Sequence, residues 1–350
     1  MKKVMLLMSG GVDSSVSAIL LQQQGYDVTG ATMHLKTDQD EKSNAEIKDA
    51  KLVAEKLKIK HMVVNLSNDF SDKVIKNFIG EYLLGRTPNP CVVCNKYIKF
   101  GKMFKLAKKL GFDYIATGHY AVVDYDKSTG KWLLKKSDEK KDQSYVLYNL
   151  NQEKLSHILF PVGNMQKDEI RKIAKEYDLP IAEKKESQEI CFIKDNDYCN
   201  FIESHTNNSP PKGLFINENG SVLGEHQGIM KYTIGQRKGF GIGFGKPMYV
   251  ISINPQDNTV VLGEEGSQYT NELIATNLNF ILFDKPLKEM EITAKVRYKA
   301  PCAKAKLVPL DENFVKVIFY EKQRAITPGQ SVVFYDGDVV LGGGVITSSK

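Results

Sequence analysis

Two stretches of this 350-residue chain carry residue types whose spacing suits chemistry. The first is Met8-Ser9-Gly10-Gly11-Val12-Asp13-Ser14-Ser15, directly after the apolar run Val4-Met5-Leu6-Leu7. Gly10 and Gly11 permit positive φ and let backbone N–H groups approach an anion closely. Together with the Ser9, Ser14 and Ser15 hydroxyls and the positive end of a following helix, they predict a nest for phosphate oxygens. The loop lacks the Gly-Lys-Ser/Thr ending of a Walker A loop, which argues against a kinase or GTPase. The second stretch is Arg86-Thr87-Pro88-Asn89-Pro90-Cys91-Val92-Val93-Cys94-Asn95-Lys96. Two prolines predict an extended segment, and Asn95 is expected to cap a helix. Cys94 would then sit at a helix N-terminus near Lys96, Lys99 and Lys102, all of which favour thiolate. A lone Cys-x-x-Cys reads as a redox pair, half of a zinc site or part of an iron–sulfur site, and no second pair completes a zinc site. Cys191 follows the polar loop 186–189 in a short strand-like run; alone it reads as core. Cys199 and Cys302 read as packing residues.

These residues need elements to hold them. From 1 to about 200 the pattern alternates strand and helix, with strands expected at Lys3–Met8, Val28–Met33, His61–Asn65 and Tyr114–Thr117. Helices are expected at 13–24, 44–57, 69–83, 95–110 and 166–177. That order predicts an α/β, doubly wound parallel sheet with its site at the C-terminal strand edge. The phosphate loop, Met33 and Thr117-Gly118-His119 should all meet there. Residues 121–136 read as a hairpin, and 207–213 as a linker. Beyond it short strands dominate, and Ile292, Ala294, Val296 and Tyr298 alternate with Thr293, Lys295 and Arg297. A β-barrel or sandwich follows. The expected partition is 1–205, 206–275 and 276–350.

Length favours two or three domains. The net charge of +6 is mild and compatible with a polyanionic partner. No apolar run is long enough to span a membrane, and the N-terminal run is too short for a signal peptide, so a cytoplasmic protein is expected. Lys96, Lys99, Lys102, Lys105, Lys108 and Lys109 read as a phosphate-following stripe or a solvated helix face.

Ser9 to Ser14 resembles the signature of the PP-loop ATP pyrophosphatases, of the HUP type. Further motifs follow in order: Thr87-Pro88-Asn89-Pro90, Cys94-Asn95-Lys96 with Ile98-Lys99-Phe100, Ala116 to Tyr120, Lys141 to Tyr145, and Ile190 to Ile193. Gly224 to Gly228, Gly235 to Gly239 and Thr327 to Ser331 complete the series. As an ordered set these resemble the tRNA-specific 2-thiouridylase (MnmA) family over essentially the whole chain. The resemblance implies a PP-loop catalytic domain, a small central β-rich tRNA-binding domain and a C-terminal β-barrel. It implies that ATP adenylylates O2 of the wobble uridine of tRNA, after which sulfur arrives as a persulfide on Cys191. Cys94 is then the partner thiol, forming a disulfide or attacking itself. ATP contacts carry over to Leu7, Met8, Ser9, Gly10, Gly11, Val12, Asp13, Ser14, Met33 and Gly118, with Asp13 beside Mg²⁺. Asn89, Pro90 and Cys91 line the target-base pocket with His119 beside it. Lys141, Asp142, Gln143, Arg297, Tyr298 and Gln330 match tRNA contacts. A sulfur-donor protein is the other implied partner.

The chain departs from the family pattern in one place: Cys91 stands where the best-known members carry Asp. Cys91, Cys94 and Cys191 resemble the three-cysteine set of thiolases that hold a [4Fe–4S] cluster, which is the alternative route for the sulfur. Two competing classes remain: a PP-loop amide-forming ligase, and a tRNA-binding module with a relic nucleotide site.

Overall fold

The computed structural model describes residues 1–35, 41–138, 141–184, 190–193, 197–206 and 211–349. The polar loop 186–189 and the first part of the expected linker, 207–210, lie outside the described residues. In chain order the first part runs β1 (Lys3–Leu7), α1 (Val12–Gln23), β2 (Asp27–His34), α2 (Glu41–Lys56) and β3 (Lys60–Asn65). Two long helical runs follow, α3 (67–83) and α4 (90–109), and then β4 (Tyr114–Ala116). A hairpin, β5 (Val122–Asp126) and β6 (Lys131–Lys135), precedes the short β7 (Ile158–Leu159) and the helices α5 (Lys167–Glu176) and α6 (Tyr198–Thr206).

Five of these strands form a parallel sheet in the order β3-β2-β1-β4-β7. β1 reads as continuous apolar sequence because helices cover both faces, and Val4, Met5 and Leu6 are fully buried. The chain leaves β1 straight into α1, so the glycine loop lies at the C-terminal edge of the central strand. That is the place predicted for the site.

The remaining strands build two further sheets. β8 (Gly213–Asn217), β9 (Val222–His226), β10 (Tyr249–Asn254) and β11 (Thr259–Gly263) order as β10-β11-β8-β9. The last six are β12 (Tyr269–Phe280), β13 (Met290–Lys295), β14 (Ala303–Pro309), β15 (Val315–Arg324), β16 (Ser331–Asp336) and β17 (Val339–Ser349). They run β12-β15-β14-β13-β16-β17, and β12 also pairs with β17, so the sheet closes on itself as a barrel. Its interior takes the expected alternate residues: Ile292, Ala294 and Val296 are buried.

Sequence order conceals how these parts join. The 121–136 hairpin forms as expected but belongs to the barrel sheet, where Lys135 of β6 pairs with Val339 of β17. Tyr145 and Tyr148 pack in one hydrophobic core with Val333 and Tyr335 of the barrel. The Tyr145 hydroxyl donates to the Ser331 carbonyl at 2.7 Å. The barrel thus shares a core with the parallel-sheet unit.

Candidate active site

The loop between β1 and α1 is shaped by its glycines. Gly10 has φ +66°, and a Cβ there would lie 2.5 Å from the Glu46 carbonyl oxygen, so only glycine fits. Ser14 Oγ and Ser15 Oγ both donate back to the Gly11 carbonyl, at 3.1 and 2.9 Å. This corrects the expected nest. Ser15 is fully buried and offers nothing to a ligand, leaving the backbone amides and the exposed Ser9 to do so. Gly118 closes one side, since a Cβ on it would stand 2.8 Å from the Ser14 nitrogen. Met33, next to last in β2, ends on the same edge.

Asp13 is held from two directions. Its Oδ1 accepts from the Tyr120 hydroxyl at 2.6 Å and from Lys167 Nζ at 2.5 Å. A carboxylate suits Mg²⁺, but as folded Asp13 is paired with a lysine from the first turn of α5. Lys184 Nζ adds a bond of 3.1 Å to the Gly10 carbonyl and one of 2.6 Å to Asp49. Sequence reasoning missed Lys167, Lys184 and Tyr120; nothing local marks a lysine 154 positions from its partner. The loop has no lysine of its own, and these two supply the positive charge.

The cysteine segment differs from expectation at its start. Asn89, not Asn95, caps the helix, accepting from the Val92 N–H at 3.3 Å with Pro90 in the first turn. Cys94 therefore lies inside the continuous run α4, and Asn95 is buried, donating to the Val146 carbonyl at 2.9 Å. With no helix terminus beside it and no water around it, the Cys94 thiol is pushed up to about 12 by burial. That reverses the expected thiolate character. Lys99 is the group that opposes this shift, while negative charge at Cys191 and Cys91 adds to it. Cys91 and Cys191 therefore each lie within electrostatic reach of Cys94. Cys91 opens to the surface, yet its thiol is also shifted up by desolvation, again against Lys99.

Cys191 stands in a turn rather than a strand, closed by Ile193 N–H donating to the Ile190 carbonyl at 3.0 Å. Phe192 plugs the core edge-on between Phe70 and Phe78, with ring centroids 5.6 and 5.3 Å away. That anchor presents Cys191 outward, where it is exposed. Cys302 is exposed too and is not the packing residue expected; Cys199 is half-buried. Among the described residues no three His, Cys, Asp or Glu side chains come together as a metal-holding group. As folded, Cys91, Cys94 and Cys191 do not form the ligand set of a cluster.

His119 follows Gly118 directly and is buried. Its Nδ1 lies 2.6 Å from Thr117 Oγ1 and its Nε2 lies 3.4 Å from Lys99 Nζ. Burial, and then the Lys99 charge, push its pKa well down, so the ring is neutral. Tyr298 reaches the same corner. Its hydroxyl donates to the Lys141 carbonyl at 3.2 Å, and burial with negative charge at Asp142 and Cys91 pushes it up to about 12. Arg297 donates to the Arg324 carbonyl at 3.4 Å.

Other expected tRNA residues are tied to the protein itself. Asp142 accepts from the Ser137 and Ser144 amides and the Ser144 hydroxyl. Gln143 Oε1 accepts from the Tyr120 N–H at 3.1 Å. Gln330 Nε2 donates to the Thr87 and Pro88 carbonyls and so braces the segment leading to Asn89 and Pro90.

This fold and site define a HUP-type nucleotide-loop protein carrying two appended β-modules. Residues 2–195 match the tRNA methyl transferase HUP domain, 199–264 the tRNA methyl transferase PRC-barrel domain, and 270–346 the aminomethyltransferase beta-barrel domain. The chain is 52% identical over 356 residues to the tRNA-specific 2-thiouridylase MnmA of Clostridioides difficile (strain 630), covering 99% of each chain. It is 54% identical over 355 residues to that of Caldicellulosiruptor saccharolyticus, covering 99% of this chain and 98% of the relative. With the Clostridium botulinum (strain Eklund 17B / Type B) protein it shares 51% over 353 residues, again 99% and 98%. The chain belongs to the tRNA-specific 2-thiouridylase family. Among the described residues no helix is long and apolar enough to cross a membrane.

Proposed function

We propose that this protein 2-thiolates the wobble uridine of tRNA at the expense of ATP. The supporting observation is the continuity between loop and thiols. Gly118 abuts the Ser14 amide, and the next residue, His119, contacts Lys99, whose charge reaches Cys91 and Cys94. Activation and sulfur delivery thus have neighbouring sites.

In this reading Leu7 to Ser14, Met33 and Gly118 hold ATP, and Asp13 is the residue that would hold Mg²⁺, which would shield phosphate charge. The uridine O2 attacks the α-phosphate and pyrophosphate leaves, turning a poor leaving group into AMP. Cys191 carries a persulfide whose terminal sulfur bonds to C2 as the C2–O2 bond breaks. The Cys94 sulfur then attacks the Cys191 sulfur, its thiol proton passing to the departing base, which releases 2-thiouridine and leaves a Cys94–Cys191 disulfide for an external thiol to reduce. Asn89, Pro90, Cys91 and His119 bound the base pocket. Lys141, Asp142, Gln143, Arg297, Tyr298 and Gln330 form or support the tRNA surface around it.

The matched domain descriptions speak of methyl transfer, but a phosphate loop beside three cysteines is what ATP-driven sulfur chemistry requires. We infer a cytoplasmic protein served by a persulfide-carrying protein as sulfur donor. The working partition is 1–205, 206–275 and 276–350. The test is reconstitution with ATP, Mg²⁺, unmodified tRNA and a persulfide source, reading 2-thiouridine and AMP. Cys191→Ala should abolish thiouridine and leave tRNA binding intact; normal 2-thiouridine from that variant overturns the role of Cys191.

A further inference from the structure

We propose that Lys99 is the electrophilic residue of sulfur transfer, its ammonium holding the negative charge that develops as sulfur displaces AMP from C2. The inference rests on the thiolation reading above and assigns a group that none of the expected site residues supplies.

The first observation is an unneutralised cation. Of the lysines on α4, Lys102 pairs with Asp69 at 2.7 Å and Lys108 with Glu153 at 2.9 Å. Lys96 lies over the Tyr97 ring at 5.5 Å. Lys99 is half-buried, and among the described residues no carboxylate pairs with it; its polar partner is His119. Partly desolvating an ammonium without an anion is unfavourable. A site built this way is completed by an anion that arrives with the substrate.

The second observation is the tautomer of His119. Lysine only donates, so Nε2 must accept from Lys99, and the proton must sit on Nδ1, donating to Thr117 Oγ1. Both ring nitrogens are thereby used. Two hydrogens on the Lys99 ammonium remain to donate to a substrate.

The third observation is the helix itself. Asn95–Met103 is π-helical, not the α-helix expected for 95–110. In an α-helix Cys94 and Lys99, five positions apart, would project roughly 140° from one another. The wider turn of a π-helix narrows that angle and brings such residues toward one face. The wide turn therefore aims the Lys99 charge at the cysteine face, consistent with its pull on both the Cys91 and Cys94 thiols.

In the transfer the terminal persulfide sulfur bonds to C2, the C2–O2 bond breaks, and AMP departs with that electron pair. No oxidant is consumed at this step. Lys99 keeps its proton and donates hydrogen bonds to the oxygen and phosphate on which charge accumulates, as an oxyanion hole does.

The experiment compares the parent chain with Lys99→Met, Lys99→Gln and Lys99→Arg under single turnover with ATP, Mg²⁺, unmodified tRNA and a persulfide source. Pyrophosphate release and 2-thiouridine are read separately, beside the thermal midpoint. For Met and Gln we expect pyrophosphate at the parent rate, accumulating adenylylated tRNA, and thiouridine slowed about 100-fold, the loss of one such donor. Arg should recover most of the rate. Thiouridine within about twofold of the parent in either Met or Gln overturns the proposal. So does a parallel fall of pyrophosphate and thiouridine in all three, which assigns Lys99 to activation or folding. Absence of thiouridine from the parent itself defeats the underlying thiolation reading instead, and is seen before any variant is compared.

Discussion

Gln330 donates its side-chain amide to the carbonyls of Thr87 at 2.8 Å and Pro88 at 3.2 Å, joining the barrel to the cysteine segment across more than 240 positions. Thr87 N–H answers with a bond of 2.9 Å to the Pro328 carbonyl. The extended segment before Asn89 is therefore pinned by the barrel rather than by its prolines alone. In Gln330→Leu two carbonyls lose their donor, at a cost of about 1–3 kcal/mol. Chemical denaturation should show that loss, and thiouridine formation should fall while ATP binding stays at the parent value. Unchanged stability would remove the bracing role.

Gly10→Ala should disable the nucleotide loop. Its φ of +66° adds strain of about 1–3 kcal/mol to any Cβ, and the Glu46 carbonyl oxygen 2.5 Å away must move as well. Equilibrium nucleotide binding is expected to weaken more than tenfold, with tRNA binding preserved. Parent-like ATP affinity would mean that α2 yields without disturbing the loop.

Lys167→Met tests whether the lysine on Asp13 serves the phosphates. A hydrogen bond to a charged group is worth about 1.5–3 kcal/mol, so pyrophosphate release should slow by about tenfold or more. Lys167→Arg should recover part of the rate. If Met releases pyrophosphate as fast as the parent, the Lys167–Asp13 pair is structural only.

The buried groups set two edges to pH stability. In the unfolded chain the Cys94 thiol titrates near 9, whereas in the folded chain it is held to about 12. Between these values the unfolded state binds fewer protons, so stability declines as pH rises through that window and is intact below it. His119 works at the other edge: the folded chain refuses a proton the unfolded chain takes, so stability declines as pH falls through the ordinary histidine range. Urea midpoints across pH should show both slopes, and Cys94→Ala should flatten the alkaline one. For the same reason Cys94 should alkylate far more slowly near neutral pH than the exposed Cys191 and Cys302.

On the persulfide reading, protein purified without oxygen carries no stoichiometric iron or labile sulfide and still thiolates tRNA. About four irons per chain, lost in Cys91→Ala, would instead send the sulfur through a cluster.

Local signals made much of this protein legible from its sequence. The apolar run at Val4–Leu7 followed by Ser9-Gly10-Gly11 could only be a buried strand turning into a helix, because each feature acts within a few residues. The alternation at Ile292–Tyr298 marked the barrel wall in the same way. Order along the chain brought the loop, Met33 and Gly118 to one sheet edge, since parallel strands must all end there. Contacts between distant residues were not legible. The thiol chemistry of Cys94 was misjudged because Asn95 and Asn89 are equally good caps by type, and only packing decides which one starts the helix. Burial of Cys94, the Lys167–Asp13 pair, the hairpin's transfer to the barrel sheet and the placing of Lys99 against His119 all depend on which surfaces meet. Desolvation and Coulomb interaction act through space, so tertiary structure alone decided them.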